Sequence, residues 1–479
     1  MCESLTLKQP VRMPGVLLLL TVVNFKRIVK KSEGYPAGGI RILFQWMLFL
    51  SITIPVHAQP VTGDSVVSLN LQHAIELGLA NSYKLKAANL SVEISKQNLS
   101  QEKSDQLPAI DLGLDGYLIN DPTLFVSPPF GDPEKVDYTP YQVSGSLVVS
   151  EVIYSGSRIK NSIDQKVVEK KMAEYSAVKT SADAKMTIVN EYLKLFSLLK
   201  DYYINVQTIQ QIELRLKTLR SKFQHGQVVK NDVSRSELQK ADFELKLLHT
   251  VSSASATNYF LTLLLGLPEN VVIAIDTNLN YTSDTTFIFD ECLQTAFANR
   301  PEYQLALANK EYSTNTLKII KGTYYPTVHG VGMYGLQNPV PGTFPPEGKF
   351  LSFLTVGAGI NYSLGSLYKS KHQKSSAELA VLREDENISD MKNSISDEVK
   401  TQFTQYEMQR KALSIYERKI QFAGENYRII QSRYYNDQAL ISDMVDAELE
   451  YNQARLDLIA GQVQTRKEYY KMLKAIGKL

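Results

Sequence analysis

Residues 157–224 read SRIKNSIDQKVVEKKMAEYSAVKTSADAKMTIVNEYLKLFSLLKDYYINVQTIQQIELRLKTLRSKFQ, 68 positions without a glycine or a proline. Residues 366–435 repeat the feature, interrupted only by Gly424. Each stretch predicts one helix of about 70 residues, ~100 Å long at 1.5 Å per residue. Ordinary globular domains do not hold helices of that length. Such a helix cannot bury itself alone and needs partners along its whole course, as in a coiled coil or bundle.

The flanking sequence supplies those partners by duplication. Residues 71–118 align without a gap on 289–336 at an offset of 218, Leu79-Ala80-Asn81 answering Phe297-Ala298-Asn299 and Leu107-Pro108 answering Tyr325-Pro326. A second correspondence, at offset 211, pairs Leu219-Arg220-Ser221-Lys222-Phe223 with Ile430-Gln431-Ser432-Arg433-Tyr434 and runs on to Glu237-Leu238 and Glu448-Leu449. The chain is therefore two copies of one unit, 59–268 and 289–479, joined by a segment at 269–288. Apolar residues at helical spacing predict a helix over 71–106, ended by Pro108, and another over 231–265. Set end to end, the two match the length of the long helix, as do 289–324 and 442–476 in the second copy.

Before each long helix the period changes from helical to two. Ile110, Leu112, Leu114 and Leu118 alternate with Asp111, Gly113, Asp115 and Tyr117; Tyr141, Val143, Leu147 and Val149 alternate with Gln142, Ser144, Ser146 and Ser150. Strands are expected at 108–121, 141–154, 326–338 (Gly-rich) and 351–364. About ten residues with one apolar and one polar face fit a transmembrane barrel strand, and equally an antiparallel sheet on a soluble core. Four strands cannot close a barrel alone, and the long helices already demand oligomerisation.

At the N-terminus, Arg41 precedes an apolar run at 42–54 and then Val56-His57-Ala58. The run is short of the roughly 20 residues that span a bilayer, so 1–58 reads as an N-terminal extension and signal peptide cleaved after Ala58. That leader holds 7 Lys and Arg against 2 Asp and Glu, and its loss takes the formal charge from +2 to −3, a balance that points to no nucleic-acid partner. Cys292 would be the lone cysteine of the mature chain and cannot form an internal disulfide. The six His stand far apart, and HExxH, GxxxxGK[ST] and GxSxG are all missing, so neither an enzyme nor a metal or cofactor site is expected.

Tyr154-Ser155-Gly156-Ser157-Arg158, Leu264-Leu265-Gly266-Leu267-Pro268, the two helix-to-Pro openings and the two helix-to-helix turns, in this order and twice over, resemble the TolC-like outer-membrane efflux proteins (outer membrane factors) across about residues 66–476. The resemblance implies a mainly α chain with a transmembrane β part. Three protomers would give four strands each to one 12-stranded β-barrel and their helices to a long coiled-coil tunnel crossing the periplasm. It further implies a homotrimer in the outer-membrane lipid, serving as passive exit duct for a tripartite efflux or type I secretion system, with a periplasmic adaptor and an inner-membrane pump of RND or ABC type. A periplasmic coiled-coil adaptor or scaffold is the alternative, though no lipoyl-like segment is present.

The same resemblance assigns site residues. Asp443 and Asp446 match positions whose carboxylates ring the pore constriction at the helix tips; the plainer alternative is helix-end chemistry, with Ser442 and Asn231 as N-caps. Asp232 and Tyr434 match positions that latch the coils closed, although Ala439 stands where some members carry the arginine that completes the latch, leaving Lys230 or Arg433 as substitutes. Capping is the favoured reading of Asp232. Gly226 and Asn436 are expected to take left-handed backbone in the two tip turns. Asp111 and Asp115 would face the barrel lumen if the alternation holds.

Overall fold

A computed structural model describes residues 66–120, 123–125, 131–135, 139–276, 286–340 and 348–479. The leader and cleavage site expected at 1–58 lie outside the described residues. In chain order the elements are β1 (Val66–Leu69), α1 (Leu71–Asn81), α2 (Tyr83–Ser104), β2 (Ala109–Leu118), β3 (Thr123–Phe125), β4 (Pro133–Lys135), β5 (Tyr141–Tyr154), α3 (Arg158–Gln224) and α4 (Lys230–Leu265). There follow β6 (Val272–Ile275), α5 (Phe289–Asn299), α6 (Pro301–Gly322), β7 (Thr327–Asn338), β8 (Leu351–Asn361), α7 (Ser366–Tyr435) and α8 (Ile441–Ala475).

The two long helices run unbroken for 67 and 70 residues, because nothing in either stretch removes a helical donor or forces the backbone elsewhere. The expected single helices over 71–106 and 289–324 are each broken in two. The break falls at Ser82 in the first copy and Arg300 in the second, both extended (ψ 112° and 123°). Ser82 caps the following helix through its hydroxyl, which accepts from the Leu85 amide at 3.3 Å. Arg300 precedes Pro301, whose ring excludes helical backbone from the residue before it. Arg300 is also buried, with Nη1 2.5 Å from Glu398 and Nε 3.3 Å from Glu302.

The helices form one layer. α2 and α4, end to end, pack on α3; α3 packs on α6 and α8; these pack on α7. The layer's open edges are thus the α2/α4 column and α7. Its principal core lies midway, where Ile188, Val189, Tyr192, Leu193 and Phe196 of α3 meet Ala74 and Ile75 of α1, Leu261 and Leu265 of α4, and Val463 of α8. The Tyr192 hydroxyl donates to the Leu69 carbonyl at 2.9 Å, and burial pushes its pKa to about 12. That carbonyl belongs to a short parallel pair, β1 on β6, which the sequence reading missed.

Beyond the core the chain forms a four-stranded antiparallel sheet in the order β2-β5-β7-β8. The two copies meet at β5 and β7, with a bulge between Val152 and Tyr154. A separate small hairpin pairs β3 with β4. β2 and β8 each have one ladder partner among the described residues, so the sheet is open at both sides. Its open edges match those of the helical layer, since β2 continues α2 and β8 leads into α7.

Candidate functional site

Register carries the alternation of single strands across the whole sheet. Leu112 pairs with Leu147, Leu147 with Tyr334 and Tyr334 with Leu354; the neighbouring row is Ile110, Val149, Gly332 and Val356. All these rows share one face, and its side chains are bare: Leu112 is 72% exposed, Leu354 72% and Val356 78%. The other face carries Asp111 beside Val148, Gly113 beside Ser146, and Asp115 beside Ser144, followed by Gln337. An apolar face of this breadth does not stay in water in a stable protein. Asp111 and Asp115 lie together on the opposite, more polar face.

At the far end of the long helices, the two helix-to-helix turns have one geometry. After α3, the Gly226 amide donates to the Phe223 carbonyl (2.9 Å) and the Gln227 amide to the Lys222 carbonyl (2.9 Å); after α7, Asp437 donates to Tyr434 (3.0 Å) and Gln438 to Arg433 (2.8 Å). Gly226 has φ 71° and Asp437 φ 58°. The left-handed residue of the second turn is therefore Asp437, not Asn436, which sits at φ −95°. The offset of 211 that relates the two tips carries Gly226 onto Asp437. A non-glycine residue there costs roughly 1–2 kcal/mol, and the Asp437 carboxylate offsets part of it by accepting from Lys222 Nζ at 2.8 Å. That contact holds the Lys222 amine above its usual pKa.

The helices that leave the turns start one step earlier than the side chains suggest. Val229 and Leu440, both extended, are the N-cap residues of α4 and α8; Asn231 and Ser442 fall inside the first turn. Backbone geometry fixes the cap, since neither aliphatic side chain can accept a hydrogen bond. Asp443 helps instead, its Oδ2 accepting from the Leu440 amide at 3.3 Å. It is exposed on the same helix face as Asp446. Asp446 is not free: Arg235 of the first copy reaches it at 3.2 Å.

Tyr434 is half-buried against Leu219, Ile441 and Val445 in the tip cluster. Burial raises its phenol, Lys222 and Arg215 draw it down, and the nearby Tyr435 and Asp232 add to the rise. Asp232 and Tyr434 are thus neighbours, but at the tip the cations that bridge the first copy to the second are Lys222 and Arg235 rather than Lys230 or Arg433. Ala439 leaves its position without a charge.

A third crossing lies inside the layer. Arg215 (3% exposed) donates to Glu448 Oε2 (1% exposed) at 2.7 Å and to Gln239 Oε1 at 2.5 Å, while Gln239 Nε2 donates to the same Glu448 oxygen at 3.1 Å. Three helices, α3, α4 and α8, meet there. Removing one partner of such a pair leaves a buried charge uncompensated, at about 3–5 kcal/mol. Arg215, Gln239, Arg235 and Asp437 were not singled out from the sequence. The available signal was a charge within an apolar stripe, Arg215 between Ile212 and Leu219, and Glu448 one turn beyond Met444 and Val445.

No helix among the described residues is long and apolar enough to cross a membrane, a statement that does not bear on strands. Among the same residues no group of three His, Cys, Asp or Glu side chains is arranged to hold a metal ion.

No family model matches the sequence, and no curated protein matches it. Solved structures do. The outer membrane protein VceC from the bacterial pathogen Vibrio cholerae superposes with TM-score 0.71 at 17% identity, over 85% of this chain and 96% of that one. The Campylobacter jejuni CmeC outer membrane channel gives 0.69 at 15% identity, over 85% of each chain. The open state of the Neisseria gonorrhoeae MtrE outer membrane channel gives 0.70 at 15% identity, over 85% of this chain and 88% of that one. At these identities the likeness establishes the fold, helices and sheet together.

Proposed function

We propose that this chain, whose fold is that of the TolC-like outer-membrane channels, is the outer-membrane exit duct of a tripartite efflux or type I secretion system. One observation carries the proposal: a four-stranded sheet with one continuous bare apolar face and two open edges. Lipid covers such a face, but it satisfies no edge amide or carbonyl, so the edges must pair with copies of themselves. Three chains give twelve strands, a barrel wide enough to leave a lumen, with Asp111 and Asp115 lining it. The long helices then continue the barrel as a tunnel into the periplasm. The duct performs no chemistry; a pump of RND or ABC type, joined through a periplasmic adaptor at the tips, supplies the energy.

In this reading the tip is the gate. Asp443 and Asp446 of three chains bring six carboxylates to one constriction and favour cations, while Asp232 and Tyr434 help hold the coils together. Purified in detergent, the protein is expected to be a trimer by light scattering. A monodisperse monomer with its strand content intact would refute the duct. Asp443→Asn with Asp446→Asn should lower the cation preference of single-channel currents in a salt gradient and leave the trimer folded. An unchanged reversal potential with a lowered melting point would leave these residues only their helix-end role, worth about 0.3–1 kcal/mol each.

A further inference from the structure

The bare face of the sheet changes character where the strands give way to the helices. Tyr154, which closes β5 and pairs with Val328, and Tyr362, two residues past Ile360, end the apolar rows and are exposed. Lys160 near the start of α3, Lys318 and Lys321 at the end of α6, and Lys371 and Lys374 near the start of α7 follow within about 12 Å. Hydrogen bonds between the helices fix the side these lysines share. Arg158 Nη2 donates to Thr327 Oγ1 at 2.9 Å, and Gln165 Nε2 to Thr316 Oγ1 at 2.6 Å. Thr327 alternates with Val328 and so lies on the polar sheet face, to which Arg158 and the Gln165–Thr316 pair are turned. At 100° per residue, Lys160 stands about 200° from Arg158, and Lys318 about 200° from Thr316. Both are therefore on the side of the apolar face. Lys321, one turn on from Lys318, reaches Glu378 of α7 at 3.7 Å. That contact brings Lys371 and Lys374, seven and four residues before Glu378, to the same side.

We propose that this belt of lysines binds the anionic headgroups of membrane phospholipid, of the phosphatidylglycerol class, in the leaflet nearest the helices. This rests on the duct reading above and adds a lipid preference that an apolar sheet face alone does not require. Against the five lysines, the same side of this band carries Glu151 of β5, Asp164 and Glu378, an excess of two positive charges per chain. The chain without its leader has a formal charge of −3, so the excess is local. Lys160, Lys318 and Lys371 are exposed, and among the described residues no acid forms an ion pair with them; Lys318 donates only to Asn315 Oδ1, at 3.1 Å.

The occupant is lipid rather than another polyanion because of the vertical order on this side: aliphatic rows, then tyrosines, then lysines. That is the order of hydrocarbon, interface and phosphate in a bilayer. The headgroup layer adds roughly 5–8 Å beyond the hydrocarbon, and lysine stems reach back toward it while keeping the amine in the polar layer. An anionic surface favours each nearby lysine roughly fivefold. A polymer of the cell wall would leave the tyrosines and the apolar rows above them without a role in the site.

The test reconstitutes the full chain in phosphatidylcholine bilayers and compares two probes, phosphatidylglycerol and phosphatidylcholine, each with a nitroxide on its acyl chain. Electron spin resonance reads the fraction of each probe immobilised against the protein. The native chain should prefer phosphatidylglycerol about threefold at low salt, the preference fading in ~1 M salt, where screening shortens to about 3 Å. Lys160→Gln with Lys318→Gln and Lys371→Gln should bring the two probes to parity, while Arg at the same three positions keeps the preference. Lys217, Lys246 and Lys411, exposed in the half of the helices nearer the tips, should be replaceable by Gln without effect. If light scattering finds the trimer but the native chain shows no preference, or the belt variant keeps it, the lipid assignment is wrong and the duct stands. Retention of the native chain on purified cell-wall sacculi, lost in the belt variant and without any preference between the lipids, would give the belt to the wall instead. A monomer by light scattering removes the duct and the belt with it.

Discussion

Asp201 shows how one residue reports on the layer around it. Burial on α3 raises its carboxyl from 3.8 to about 6. An acid whose folded pKa exceeds its unfolded one binds more protons when folded, so stability falls as pH rises from about 4 to 6, and the deficit persists above that window. Asp201→Asn should therefore melt higher than the native chain at pH 7.5, with the gap closing by pH 4. Equal melting curves at both pH values would mean that water reaches the carboxyl freely. At this scale the sequence located the tip carboxylates but not their cations. Lys222 and Asp437, Arg235 and Asp446, or Arg215 and Glu448 lie more than 200 positions apart, and only the packing of one copy on the other brings them together. The error over Asn436 was of a different kind, a turn aligned one place out, and the duplication itself held the correction.

Among the elements, Gly266 ends α4 with φ 68°, where an added Cβ would stand 2.8 Å from the Asn81 Cβ; Gly226 has φ 71° with open space around it. Asn81 cannot withdraw, because its amide donates to the Leu265 carbonyl at 2.7 Å. Both Gly→Ala changes incur about 1–2 kcal/mol for left-handed backbone. Gly266→Ala should lose more than Gly226→Ala in denaturant melts, the excess measuring the contact with α1. Equal losses would show that the α1–α4 join yields. The long helices were legible because helical pattern and missing breakers agree over some 70 positions. The breaks at Ser82 and Arg300 were missed although Pro301 was in view, since apolar spacing continues across both. β1 and β6 are four residues each, too short to show a period, and become strands only by pairing across the fold.

For the whole molecule, the two faces of the sheet should respond oppositely to charge. Leu112→Lys places an amine in the middle of the apolar face, at about 2–4 kcal/mol if lipid covers it; Asp111→Lys places one on the other face. If the chain forms the proposed outer-membrane trimer, the yield of trimer extracted from outer membranes should drop for the first and hold for the second. Equal yields would argue that the apolar face meets something other than lipid. Strand alternation made the sheet's two faces readable, but its openness was not readable from any one strand, because an edge is a property of topology.

The coincidence of open edges in sheet and helices has a genetic consequence. In the proposed trimer, a chain spoiled at the β8/α7 edge keeps a sound β2/α4 edge, so it can still join a ring and then prevent its closure. In a cell making sound and spoiled chains in equal amounts and mixing them at random, about one ring in eight of three subunits would be whole. Edge lesions should therefore act as dominant alleles, whereas lesions that unfold the chain should be recessive.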